Sequence, residues 1–275
     1  LGPLLIDRHG FSLVATGNAA LVLSVLGMVA PPLFGRFDPG DARRRRWLFN
    51  YTLGCAGIFG LLALSLGATS DVALSLAIGL VSGYMVMQYA DVRMAYPAAM
   101  TGRAMALFTM AMFMGVALLA SARSKDHRAR NGACIASPDH RIIGVGYNGL
   151  PRGCDDQDPV YWSDNDDDPF RSRHSYVVHA EVNAILNCVV LPLKNATIYA
   201  TQFPCPRCAQ AIIQAGIQSV IYLREKPHHA QHNAAALKMF DASGVACRPL
   251  QAVDPAAHEW AVAFSAGAQP ERPAR

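Results

Sequence analysis

Charge is scarce in the first 120 residues of this 275-residue chain, and apolar runs are long there; from about residue 121 an ordinary mixture of polar and apolar residues takes over. The formal net charge of +4 comes mostly from the charge-poor part, so it carries no argument for a nucleic-acid partner. No internal repeat and no phosphate-binding P-loop stand in the sequence, which removes solenoids and the common nucleotide hydrolases from consideration. Seven cysteines in a chain of this length do not read as a disulfide framework. They read as a few metal ligands plus small buried side chains, in keeping with a reducing compartment. A short basic leader is also lacking, so the apolar start is not expected to be a cleavable signal.

The apolar runs reach from Phe11 to about Leu33, from Trp47 to Ala68 and from Val72 to about Tyr89. Each approaches the roughly 20 residues that a membrane helix needs. Arg36 and Arg43 to Arg46 lie between the first two runs and place that loop on the cytosolic side, with Asp71 in the next short loop on the other. Asp91 and Arg93 then fall at a membrane boundary. Residues 1–103 are therefore expected to form a membrane segment of about three helices.

What is present in the second half is chemistry. His179-Ala180-Glu181 is followed by Pro204-Cys205-Pro206-Arg207-Cys208. One imidazole and two thiolates supply three positions of a tetrahedral zinc and leave the fourth open, which separates a working zinc from a structural one. Glu181 is the kind of group that moves protons to and from water at that position. A Cys-x-x-Cys alone reads as half of a structural zinc site or as a redox pair, and Glu181 alone as a helix-dipole partner. The two motifs together are the signature of zinc nucleobase deaminases.

The surroundings support the motif. Ala133–Ser137 and Arg141–Tyr147 read as a hairpin turned by Pro138-Asp139-His140. His179 opens a helix marked by Val182, Ile185 and Leu186, and Asn195–Ala200 reads as a strand that delivers Cys205 to a second helix start, where Pro206 suits the first turn. Ser219–Leu223, a helix around Ala230 to Phe240 and Val245–Arg248 continue the alternation. Alternating strands and helices predict a layered α/β domain with a mostly parallel sheet. Residues after about Ala252 read as a loosely ordered tail, giving an expected division into 1–103, 104–250 and 251–275.

Over residues 113–250 the chain resembles the deoxycytidylate (dCMP) deaminases of the zinc-dependent cytidine/deoxycytidylate deaminase superfamily. The resemblance rests on Phe113–Ala120, Ser124-Lys125-Asp126, Gly132-Ala133-Cys134-Ile135, Gly146-Tyr147-Asn148-Gly149, Arg152-Gly153-Cys154, His179–Ile185 and Ile212–Ile217. It implies a cytidine-deaminase-like three-layer α/β/α domain, hydrolysis of dCMP to dUMP for thymidylate synthesis, a Zn²⁺ held by His179, Cys205 and Cys208, and Glu181 as proton shuttle. It implies further that Asn148 meets the substrate sugar and that the backbone N–H of Ala180 faces the pyrimidine. Regulation by dCTP and dTTP near Ser124–Asp126 and Gly149–Asp156, and assembly as a homo-oligomer, are also implied. Asn131 stands where the family usually has valine, and Gln202 where an apolar residue is more usual.

The same zinc site serves deaminases of other cytosine nucleotides and nucleosides and of tRNA. The acidic stretches Asp155–Asp158 and Asp164–Asp168 argue against tRNA, because they repel phosphates. Arg123, Lys125, Arg171 and Arg173 are the cations available to a monophosphate. A second zinc at Cys134, Cys154 and His174 competes with the reading of these residues as buried cysteines and a loop histidine.

Tyr96–Arg103 followed by Ala104–Met114 resembles the late helices of major facilitator superfamily transporters. Residues 104–120 thus carry two readings: a fourth span, or the first helix of the enzyme, with Met105, Phe108, Met112 and Val116 as its apolar face. With the arginines inside, a fourth span would carry the enzyme away from cytosolic dCMP. The expectation is therefore an enzyme helix and a membrane-associated chain whose catalytic domain lies in the cytoplasm. The alternative is a transporter-derived membrane protein carrying a passenger deaminase, although three spans cannot form the paired repeats of a transporter.

Overall fold

The computed structural model describes residues 4–188, 193–226 and 230–267. The chain divides into two compact units, Leu1–Met105 and Ala106–Arg275.

The first unit is helical: α1 (Leu13–Arg36), α2 (Asp41–Leu64), α3 (Ala68–Val81) and α4 (Met85–Ala95), the last two joined by a 3₁₀ turn at Ser82–Tyr84, with the start of α5 (Ala98–Ser121). Ser12 caps α1, its hydroxyl accepting the N–H of Ala15 at 3.2 Å. By length and composition, Leu13–Arg36, Asp41–Leu64, Ala68–Ala95 and Ala98–Ser121 are each long and apolar enough to cross a membrane. That makes four candidates rather than three. Two placements also differ from expectation. Arg43 to Arg46 are not in a loop but in the first turns of α2, where Arg44 is buried between Asp38 at 2.6 Å and Asp41 at 2.7 Å. Asp71 lies in the first turn of α3, fully buried, with His9 at 2.8 Å and the Ser65 hydroxyl at 3.1 Å. A charge without water needs partners, and helix starts place donors within reach.

The second unit is built on a five-stranded sheet in the order β2-β1-β3-β4-β5, with β1 at Gly132–Ala136, β2 at Ile142–Tyr147, β3 at Thr197–Gln202, β4 at Ser219–Arg224 and β5 at Ala246–Pro249. It is not mostly parallel. β1 pairs antiparallel with both β2 and β3, and only β3–β4 and β4–β5 are parallel. The hairpin forces the first reversal: a short turn, in which His140 adopts the left-handed φ of 62°, leaves no room for the crossover that a parallel pair needs. Strict alternation of strand and helix begins only at β3, and so does parallel pairing.

Successive strand residues point to opposite faces, and the core divides accordingly. Ala133, Ile135, Ile198 and Val220 meet α6 (Ala180–Leu186), α7 (Pro206–Gln214) and α8 (Ala230–Ser243) on one face. Cys134, Ala136, Tyr199 and Ile221 meet α5 on the other, together with α9 (Leu250–Val253) and α10 (Pro255–Gly267). The result is a three-layer α/β/α arrangement. α5 contributes Phe113, Met114, Ala117 and Leu118 to that core; of the expected face, Met112 and Val116 pack against it partly buried, while Met105 and Phe108 are not among its members. The stretch expected to be a loose tail forms α10, and its Ala257 and Ala261 are buried in the same core, while residues 268–275 lie outside the described ones. Small alanines let α10 sit close to its neighbours, a signal that composition alone disguises. Gly146 of β2 has a similar role: a Cβ there would run into the backbone of Ala180 and Ala184, so its absence lets α6 lie directly on the sheet.

Candidate metal centre

α6 and α7 start at the same place. His179 is the N-cap residue of α6 and Cys205 that of α7, so Glu181 and Cys208 lie in the first turns behind them. β3 runs straight into Phe203-Pro204 and delivers Cys205; Pro206 at N1 has no N–H to leave unsatisfied. Both helix N-termini face the cluster, which favours thiolate over thiol.

His179 Nδ1 lies 3.3 Å from Cys208 Sγ and 3.4 Å from Cys205 Sγ. The three ligand atoms all lie within 4.8 Å of one another, and among the described residues they form the only group of three or more His, Cys, Asp or Glu side chains so placed. Cys134, Cys154 and His174 are not brought together in this way. Ligands of a tetrahedral zinc, about 2.0 Å away for nitrogen and 2.3 Å for sulfur, stand about 3.6 Å apart, so this donor set fits zinc and leaves one position open. Without metal, Cys205 is pulled down to about 3, first by the hydrogen bond from the Cys208 thiol and then by that from His179. The same hydrogen bond, together with burial, pushes Cys208 up, and the Cys205 thiolate raises His179.

Glu181 is buried, with Oε2 3.6 Å from Cys208 Sγ. Burial raises its pKa above the usual glutamate value, an effect partly offset by His179.

The cluster opens into a cavity of about 470 Å³ lined by Asn148, Ala180, Glu181, Phe203 and Arg173, among others. Phe203 is buried and meets Tyr222 edge-on at 4.9 Å, which makes one wall rigid. Both residues that the resemblance assigns to the substrate, Asn148 and Ala180, line this space. Of the four cations considered for a phosphate, Arg173 lines it; Arg123 instead lies over the Tyr147 ring at 5.6 Å. Asn131 and Gln202, the two departures from the family pattern, both line the cavity, and Gln202 Nε2 is held by the Arg224 carbonyl at 3.1 Å. Lys226, His232 and Asn233 also line it and went unread in the sequence. They follow β4 and open α8, and the rule that ligands bind beyond the carboxyl ends of parallel strands would have pointed to them.

Residues 109–224 match the family model for the cytidine and deoxycytidylate deaminase zinc-binding region. Deoxycytidylate deaminase of Pongo abelii is 43% identical over 136 residues, covering 50% of this chain and 76% of the relative. A probable deoxycytidylate deaminase of Drosophila melanogaster is 44% identical over 138 residues, covering 48% and 68%. The crystal structure of dCMP deaminase from cyanophage S-TIM5 in complex with dCMP and dUMP is 25% identical, covers 50% of this chain and 93% of its own, and has a TM-score of 0.39. Since this chain spans three quarters of a relative to which it is 43% identical, it belongs to the cytidine and deoxycytidylate deaminase family.

Proposed function

We infer that this chain hydrolyses dCMP to dUMP and ammonia in a zinc-dependent reaction. The observation that carries this reading is the buried Glu181 beside the His179–Cys205–Cys208 group at the wall of the cavity, within a segment 42–44% identical to deoxycytidylate deaminases. His179, Cys205 and Cys208 would hold the zinc, which when bound lowers the pKa of water toward neutrality. Glu181 accepts a proton from the attacking water and passes it to N3 of the cytosine as oxygen adds at C4; it then takes the second proton from the new C4 hydroxyl and gives it to the amine as the C4–N bond breaks. Burial suits it to both tasks, because it raises the carboxyl above the usual glutamate value and so makes the carboxylate a better proton acceptor. Asn148 is assigned to the sugar and the Ala180 N–H to the ring. Arg173 and Lys226, the Arg and Lys side chains lining the cavity among the described residues, are assigned to the monophosphate.

We propose further that α1, α2 and α3–α4 cross a membrane as a transporter-like segment, with the arginines of α2 and the catalytic unit on the cytoplasmic side. Length, hydropathy and the clustered arginines support this. The enzyme unit is proposed to bind dCTP or dTTP as effectors and to form a homo-oligomer, as its resemblance implies. Zinc analysis of the purified chain and deamination assays with dCMP, dCTP, deoxycytidine and cytidine in parallel test the main reading. Stoichiometric zinc and a preference for dCMP are expected; preference for a nucleoside would move the substrate assignment within the family.

A further inference from the structure

A second, smaller cavity lies across the sheet from the zinc ligands, on the face covered by α5 and α10. It sits at the end of the sheet where β1 begins and β3 and β4 finish, which is where parallel strands offer a ligand their carboxyl ends. Its volume is about 60 Å³. One water needs roughly 10–15 Å³ of such space, so the cavity takes a group of about five non-hydrogen atoms and is too small for a nucleoside.

Charge of one sign lines it. Arg130 and Arg224 are in its wall, and among the described residues no Asp or Glu is. The carboxylates that pair with arginines elsewhere in the second unit, Asp126, Asp139 and Asp164, serve Arg128, Arg141 and Arg173 instead. Arg224 is half-buried, and its guanidinium meets a neutral group, the hydroxyl of Ser265 on α10. That hydroxyl gives its own hydrogen to the Val262 carbonyl at 2.8 Å, so it accepts from Arg224 and fixes one nitrogen of the fork. A guanidinium carries five N–H donors, and most of them remain for an acceptor. Thr201 adds another: its Oγ1 accepts the Gly132 N–H at 3.0 Å, which leaves its hydroxyl hydrogen to be given. A cation withdrawn from water needs an anion more than it needs a hydroxyl.

We propose that this cavity binds a small tetrahedral oxyanion of the inorganic phosphate class, held by Arg224 and Arg130 with the Thr201 hydroxyl as a neutral donor. Asn131 and Gln202, polar where the family pattern has valine and an apolar residue, both line it, so the two departures meet at one place. The site is separate from the monophosphate position assigned to Arg173 and Lys226, neither of which lines it. It nevertheless adjoins the catalytic wall. The Arg224 carbonyl accepts the Phe203 N–H at 2.8 Å and Gln202 Nε2 at 3.1 Å, so the residue that takes the anion also holds the chain two residues before Cys205. The assignment does not depend on which nucleotide the catalytic cavity takes.

The test is equilibrium dialysis of the zinc-loaded full chain in detergent against radiolabelled inorganic phosphate, with and without saturating dUMP. The nucleotide fills any phosphate position in the catalytic cavity, so what stays bound beside it belongs to another site. One equivalent of phosphate is expected to remain. Arg224→Gln should weaken that binding by about 10-fold or more, because charge-assisted hydrogen bonds are lost. Arg130→Ala, at an exposed loop position, should weaken it by about threefold. Zinc content shows that each variant is folded, and Arg130→Ala decides the matter if Arg224→Gln does not fold. Displacement of all bound phosphate by dUMP would overturn the proposal, and so would undiminished binding in a zinc-loaded Arg224→Gln or, in its absence, in Arg130→Ala. Failure of dUMP to bind would count against the dCMP reading, while the two arginine variants would still decide this one.

Discussion

In residues 4–105 many large apolar side chains face outward while Arg44 and Asp71 are buried; in residues 106–267 the large apolar side chains are mostly inside. Leu13 is 79% exposed, Met28 77% and Phe49 67%, whereas Arg44 and Asp71 are buried with their ion-pair partners. In the second unit Phe113, Ile135, Ile198 and Val220 are buried, and Arg128 pairs with Asp164 nearer the surface while Arg173 reaches the buried Asp126. A water-soluble surface does not tolerate a continuous coat of leucine, valine and phenylalanine. The contrast supports the proposal that the first unit crosses a membrane, in which an exposed apolar residue would meet lipid.

The largest effect is expected where the second unit depends on its metal. Cys205→Ala or Cys208→Ala should strip the zinc, abolish deamination and loosen the unit, because the ligands tie the starts of α6 and α7 together. Metal content by atomic absorption and thermal melting check this; a variant with stoichiometric zinc and full activity would remove that cysteine from the ligand set. Glu181→Gln should separate chemistry from structure. It keeps shape and metal but loses the proton acceptor, so turnover should fall by about 10² to 10⁴-fold with zinc content unchanged.

The burial contrast itself is tested by one substitution made twice. Phe113→Ala empties a position in the α5–sheet core and should cost about 3–5 kcal/mol of stability in the second unit. Phe49→Ala, on an exposed face of α2, should change stability by no more than about 0.5 kcal/mol. Denaturation of both variants in the same detergent compares them, and equal costs would contradict the inverted burial. For the same reason, a chain beginning at Ser121 should aggregate, since it lacks Phe113, Met114 and Leu118 over the sheet, whereas one beginning at about Thr101 retains that cover.

The smallest effect is a pH dependence. The Cys205 thiolate, with a contribution from Glu181, raises the pKa of His179, so the metal-free ring keeps its proton to a higher pH than usual. Zinc requires the neutral ring. Zinc affinity should therefore decline as pH falls, beginning above the ordinary imidazole value of about 6.5. Glu181→Gln removes one cause of the shift and should move the decline to lower pH. Competition titrations with a chelator across pH 5 to 8 check both the sign and the displacement.

The metal ligands were legible because their chemistry is local: His179 with Glu181, and Cys205 with Cys208, each come from a few consecutive residues at a helix start. The strands were legible from short apolar runs, with bounds shifted by a residue or two. The role of Asp126 was not. In the sequence it is part of Ser124-Lys125-Asp126, a motif of the resemblance placed near a candidate effector region, and only the return of the chain at Asn148 and Arg173 makes it a buried hub. Lys226 and His232 were missed for a related reason, since they reach the cavity from the far end of a parallel strand.

Residue type and spacing by themselves determined the His179–Cys205–Cys208 group, the carboxylate of Glu181 beside it and the division into an apolar and a mixed half. These depend on short-range chemistry and on composition, both of which can be read along a line. Tertiary structure alone decided the mixed sheet, the face of α5 that is buried, the helix in place of a tail and the hydrogen bonds that hold Asn148. Each of those depends on which distant segment a residue meets, because pairing direction, burial and hydrogen-bond capacity are properties of contacts and not of single residues.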